Sequence, residues 1–147
     1  MTSKRSNRPR AVRALLLALA AGQAAVGLWA LFAPRNWYAT FPGGGRHWLP
    51  AYGPYNEHLS VDFGAAYCGM ALMLATAAIL LERRLVRVAV AVFLVYSLPH
   101  WIYHLGADDR LSSGDQLANG VLVGLTVAGP LAVLALSRGT SRTLPPG

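Results

Sequence analysis

Cysteine is almost absent: Cys68 is the only one in 147 residues, so the chain closes no disulfide on itself and builds no cysteine-based metal site. Charge is scarce as well. Charged residues make up 13% of the chain against 54% hydrophobic, a balance that excludes an ordinary soluble domain of this size and points to a small membrane protein. Acids are the scarcest class, six against thirteen Lys and Arg, for a net charge of +7. Such a surplus would suit nucleic acid, but the basic residues flank apolar runs in short clusters, without the aromatic or Gly-rich modules that bind RNA. No nucleic-acid partner is expected. The chain also lacks internal repeats and any sign of a second domain.

What it does have is four long apolar runs, at about 12–33, 59–81, 85–105 and 116–137. Each is near the roughly 20 residues that cross about 30 Å of hydrocarbon at 1.5 Å per residue. The sequence therefore predicts an all-α, multi-pass protein of the cell membrane, a bundle of four transmembrane helices in one domain spanning 1–147. The first run follows Lys4, Arg5, Arg8, Arg10 and Arg13 and contains small residues between Ala20 and Ala25, a pattern shared with cleaved signal peptides. Its apolar stretch continues through Gly27 to Phe32 and stops at Pro34, which favours a spanning helix.

Basic residues near helix ends prefer the cytoplasm. Those before the first run, Arg83, Arg84 and Arg87 around the tight second turn, and Arg138 and Arg142 after the fourth run place both termini inside. The outer side then keeps Arg35, Arg46 and Arg110 with the 34–56 loop, whose Trp37, Tyr38, Trp48, Tyr52 and Tyr55 suit an interfacial belt folded over the bundle. Within that loop, the Gly-rich stretch 42–50 lacks the following helix and Lys-Ser/Thr pair of a phosphate cradle.

Under this topology all four histidines and five of the six acids fall on the outer side, Glu82 being the exception. Spacing singles out three pairs. His58 and Asp62, His100 and His104, and Asp115 and Asn119 are each four apart, which places both members on one helical face. Counting from the inner turns puts Asp62, His104, Asp115 and Asn119 at roughly 28–34 Å, near one level, with His58 about a turn above and His100 about a turn below. A carboxylate, an imidazole and a further carboxylate or amide are thus expected to meet in a pocket. Pro99 removes one backbone donor just before His100, so the third helix is expected to kink there.

Two enzymatic readings fit that pocket. In the first, His100, His104, Asp62 and His58 bind a divalent metal (zinc, iron, manganese or copper), Glu57, His58 or Asp62 serves as acid/base, and Asp115, Asn119, Asn56 and Tyr103 form an orienting shell. Haem held by two histidines fits less well, because His58 and His104 differ in height and carboxylates crowd them. In the second, a metal-free isomerase or cyclase moves protons on a lipophilic substrate, with Tyr67, Tyr96, Trp101 and Tyr103 lining the site. Either way the partner is a membrane lipid or lipophilic small molecule. A reading of another class is a non-catalytic membrane subunit or lipid-binding protein whose polar network only pins the helices, with Asn56 and Glu57 capping the second and Asp115 favouring the start of the fourth. Four spans offer no continuous polar path across the layer within one copy, so transport would require a homo-oligomer. Gln23, Thr76 and Thr126 are candidates for hydrogen bonds between helices, and Gly22/Ala26, Gly64/Cys68 and Gly120/Gly124 for close helix packing.

The segments "YNEHLSVDFG", "PHWIYHLG" and "GDQLANG" resemble a group of small four-helix integral membrane proteins of actinobacteria, and the general organisation is similar to that of DoxX-like membrane proteins. The resemblance covers roughly residues 28 to 137. It implies fold and location, with the Asn-Glu-His…Asp and Pro-His…His residues as a recurring polar core, and it supplies no substrate.

Overall fold

The protein is described from a computed structural model covering residues 3–106 and 110–138, with side chains from 7 to 106 and 110 to 137. Asp108 and Asp109, expected in a solvated loop, and Arg142 lie outside the described residues. The described residues form five α-helices and one 3-10 turn: α1 (Ser3–Phe32), α2 (Pro34–Thr40), a 3-10 turn (Leu49–Tyr52), α3 (Glu57–Leu80), α4 (Arg83–Leu105) and α5 (Ser113–Arg138). Four of them, over Asn7–Phe32, Glu57–Leu80, Arg83–Leu105 and Ser113–Ser137, are long and apolar enough to cross a membrane. The sequence bounds of the four runs agree with these to within a few residues, apart from the start of the first. Periodicity does not resolve the 34–56 loop, where Pro34 opens a seven-residue helix too short to show a pattern of its own.

Local chemistry sets the ends. Asn56 stands just before α3 and its side-chain oxygen accepts the Leu59 N–H at 3.0 Å, a side-chain cap on a donor the helix itself cannot satisfy. Ser112 does the same for α5, taking the Asp115 N–H at 3.2 Å while its hydroxyl donates to Asp115 Oδ2 at 2.8 Å. Leu81 adopts the left-handed conformation (φ 52°) that closes α3, its N–H bonded to Ala77 O, and α4 begins two residues later. Helix α4 continues through Pro99.

Around the bundle, α1 packs on α3 and α5, and α4 packs on α5 and α3, leaving α1/α4 and α3/α5 as diagonals. The closest approach is between α1 and α3. A methyl group added at Gly64 would stand 2.5 Å from Leu31 N and 2.8 Å from Gly27 O, and one at Gly27 would stand 2.8 Å from Tyr67 Cβ. Only the missing side chains allow backbones that near. Arg13 Nε donates to Ala78 O at 3.1 Å, which puts the start of α1 at the same end as the 81–82 turn.

The interior is unequal along its length. Val12, Leu16, Ala20, Leu74, Ala77, Ala78, Val86, Ala89, Val90, Phe93 and Val133 make one apolar core, all in the half nearest the 81–82 turn. Toward the other end the polar side chains of Gln23, Ser97, Asn119 and Ser60 are buried beside apolar ones such as Ala30, Trp37, Tyr67 and Val123. Leu72, Ile79, Val95 and Leu117 are exposed on the outside, an arrangement that water would penalise and hydrocarbon accommodates. In a bilayer those faces would be buried and van der Waals packing would hold the helices together, since lipid gives no hydrophobic drive for helices to associate.

Candidate functional site

At the polar end the pocket expected from depth alone divides into separate groups. Face decides it. On α3 the inward positions are Ser60, Gly64 and Tyr67; at 100° per residue, His58 and Asp62 fall on the opposite side. There His58 Nε2 lies 3.3 Å from Asp62 Oδ2, with side chains 88% and 61% exposed. Glu57 is exposed in the first turn of α3. These three residues, given catalytic or ligand roles from spacing, therefore sit on the outside of the bundle, because a common depth says nothing about direction. Asn56, expected in the orienting shell, is the helix cap described above, its carbonyl also accepting the Ser60 hydroxyl at 2.8 Å.

Asp115 is likewise drawn off. Arg46 from the long loop donates Nε–H to Asp115 Oδ1 at 2.9 Å, fastening that loop to the start of α5. Its carboxylate serves the helix start and the loop, not the imidazoles. Diagonal placement of α3 and α5 also explains why Asp62 and Asp115 belong to different surroundings.

His100, His104 and Asn119 do come together. Asn119, buried on α5, places Nδ2 2.7 Å from His104 Nδ1. An amide nitrogen only donates, so Nδ1 accepts and the ring proton of neutral His104 resides on Nε2. The Tyr52 hydroxyl, from the 3-10 turn, lies 3.4 Å from the same Nδ1, a weaker claim on its one lone pair. One turn lower, the His100 ring meets that of His104 edge-on at 4.7 Å and stacks on Tyr96 at 5.3 Å. The Tyr96 hydroxyl is in turn hydrogen-bonded to that of Tyr67 on α3. Phe63, Tyr67, Tyr96, His100 and His104 thus form a continuous row of rings, finished at the loop end by Tyr52 and Tyr103.

No family profile matches the chain, and neither a curated protein nor a solved structure matches it. Chemistry must come from the geometry. Two imidazoles, an amide and three phenols can donate, accept and relay protons, and their rings can steady a cation. Among the described residues no group of three or more His, Cys, Asp or Glu is placed to hold a metal ion. The expected ligand set His100, His104, Asp62 and His58 is thus not assembled, since two of its members face away from the other two. Sequence reasoning also missed the importance of the Tyr67–Tyr96 bond as the link between α3 and the histidines. A signal was present: Tyr67 shares the face of Ser60 and Gly64 on α3, and Tyr96 stands four residues before His100 on α4. Trp101, proposed as a lining residue, instead rests its indole on Gly124 of α5, where an added methyl would stand 3.1 Å from Nε1.

Proposed function

We propose that the chain is an integral membrane protein, with both termini in the cytoplasm, that transfers protons to and from a lipophilic substrate at the His100/His104 centre without a metal. One observation carries the reading: two imidazoles one turn apart and in ring contact, one with its Nδ1 occupied by the Asn119 amide, at the end of the bundle where the apolar core stops. With Nδ1 occupied, His104 presents an Nε2 proton to a substrate, and His100 and the Tyr96 hydroxyl are the neighbouring groups able to accept or pass one. The row of rings suits an apolar substrate that enters from the bilayer. His58, Asp62 and Glu57 have no part in it. A metal-dependent reaction is the less supported form, because among the described residues two imidazoles come together, short of the three protein ligands of a catalytic zinc.

A second, non-catalytic reading has an observation of its own. Tyr67–Tyr96 joins α3 to α4, His104–Asn119 joins α4 to α5, and Tyr52–His104 joins the loop to α4, which is the bonding that a purely structural network would use. Deuterium wash-in separates the readings without knowing the substrate. Membranes containing the protein are incubated in D2O and their lipid extract is surveyed by mass spectrometry. The proposal expects deuterium entering one lipophilic species with wild type, not with a folded His100→Gln protein, and persisting in the presence of a chelator. Loss on chelation would restore the metal reading; no wash-in with wild type would favour the structural one.

A further inference from the structure

Away from the histidines, the loop at 42–48 leaves a groove of about 430 Å³ against the outward side of α5, lined by Pro42, Arg46, Trp48, Leu117, Val121 and Leu122, with Gly114 and Ala118 as its floor. Helical spacing explains the second wall: 114, 117, 118, 121 and 122 share one face, while Asn119 and Val123 turn inward. Polarity is ordered along the groove. Arg46 and Trp48 stand by the first turn of α5, and Leu117, Val121 and Leu122 follow over the next two turns, all three exposed.

The polar end has hydrogen-bond capacity to spare. A guanidinium carries five N–H groups, and Arg46 gives its Nε–H to Asp115. The terminal N–H groups of Arg46 remain, whereas the Trp48 ring is 4% exposed and its buried Nε1–H is turned to Asp115. Both Asp115 oxygens are already engaged, one by Arg46 and one by Ser112, so an anion arriving here meets donors and not a bare carboxylate.

We propose that this groove binds one phospholipid of the surrounding bilayer, its phosphate on the terminal N–H groups of the Arg46 guanidinium and one acyl chain along Leu117, Val121 and Leu122. Phosphate oxygens match the planar guanidinium fork, and the sequence of cation, interfacial indole and aliphatic wall repeats the order of headgroup and tail in a leaflet. An apolar molecule without a phosphate would leave the Arg46 cation without its anion, and a soluble anion would leave the aliphatic wall uncovered. The site requires that the chain span a membrane; it does not depend on any chemistry at the histidines.

Native mass spectrometry of the full chain in detergent tests it, with phosphatidylglycerol as the probe and diacylglycerol of the same acyl chains as the comparison. The expected result is one phosphatidylglycerol per chain surviving activation that strips the rest, and no retained diacylglycerol. Arg46→Ala should weaken retention about tenfold, the loss of one charge-assisted contact. Ala118→Trp, which fills the groove while leaving the Arg46–Asp115 pair, should weaken it similarly, and Asp115→Asn, which breaks that pair but keeps the cation, should retain the lipid. Equal retention of diacylglycerol, retention undiminished in both Arg46→Ala and Ala118→Trp, or a loss in Asp115→Asn as large as in Arg46→Ala would overturn the proposal. So would a graded series of bound lipids with no plateau at one, the mark of annular contact only.

Discussion

His104 shows how one side chain's meaning depends on a partner that no local motif announces. Its i, i+4 relation to His100 is visible in the sequence, whereas the Asn119 amide that fixes its ring comes from another helix fifteen residues away. Asn119→Ala removes that donor, and the Tyr52 hydroxyl at 3.4 Å is a weaker substitute for it. Polar bonds between membrane helices contribute on average about 0.6 kcal/mol and at most about 1.7, so this change should lower stability by about 1 kcal/mol in detergent unfolding. If the histidines also do chemistry, deuterium wash-in should fall far more than that loss of folded protein explains. Asn56→Ala offers a contrasting case at the same level, because its bond serves only the start of α3. It should cost about 1 kcal/mol and leave wash-in unaltered, read from the same unfolding and exchange measurements.

Between helices, the α1/α3 contact is the point of least tolerance. Gly64→Ala would force a methyl group into the backbone of α1, so the helices must separate, at the roughly 1–3 kcal/mol typical of overpacking. Gly22→Ala and Gly69→Ala meet nothing within 4 Å and should be neutral or slightly stabilising, as removing glycine from a helix interior usually is. Thermal melts of the three variants would separate packing from propensity. Here the limits of sequence reading are physical. Gly64 was recognised as a small residue suited to close packing, but its contact with Gly27 was not, because periodicity describes each helix alone and not its neighbour. Thr76 and Thr126, candidates for bonds between helices, bond back to Leu72 O and Val123 O within their own helices. The four long helices were legible since hydrocarbon thickness dictates length; α2 was not, being seven residues in a loop rich in aromatics and glycine. At the site, His100, His104 and Asn119 were legible from spacing and depth together. Asp62 and His58 were misplaced because rotation about a helix axis is set by packing on α1, which only the Gly27–Gly64 contact reveals.

Charge and polarity are sorted along the bundle axis. Arg8, Arg10, Arg13, Arg83, Arg84 and Arg87 gather with the apolar core at the end of the 81–82 turn, and the acids Glu57, Asp62 and Asp115 with the polar network at the other. In the proposed orientation, with this positive charge in the cytoplasm, the histidines lie toward the outer leaflet. With Cys68 replaced by serine, an impermeant maleimide applied to intact cells should label Pro50→Cys in the exposed part of the loop and spare Arg84→Cys at the turn. The reverse pattern would invert the orientation while leaving the bundle intact. Since the core beyond Phe93 is apolar, a polar route from the histidines to the far side is lacking among the described residues, and activity should be confined to one leaflet. The proposed centre itself is tested most directly by nitrogen NMR of histidine-labelled protein in bilayers. His104 should appear as a neutral ring with Nδ1 unprotonated and hydrogen-bonded, Nε2 protonated, and its signal should move in Asn119→Ala. A His104 ring protonated at Nδ1, or a signal that does not move in Asn119→Ala, would contradict the assembly on which the proposed proton transfer depends.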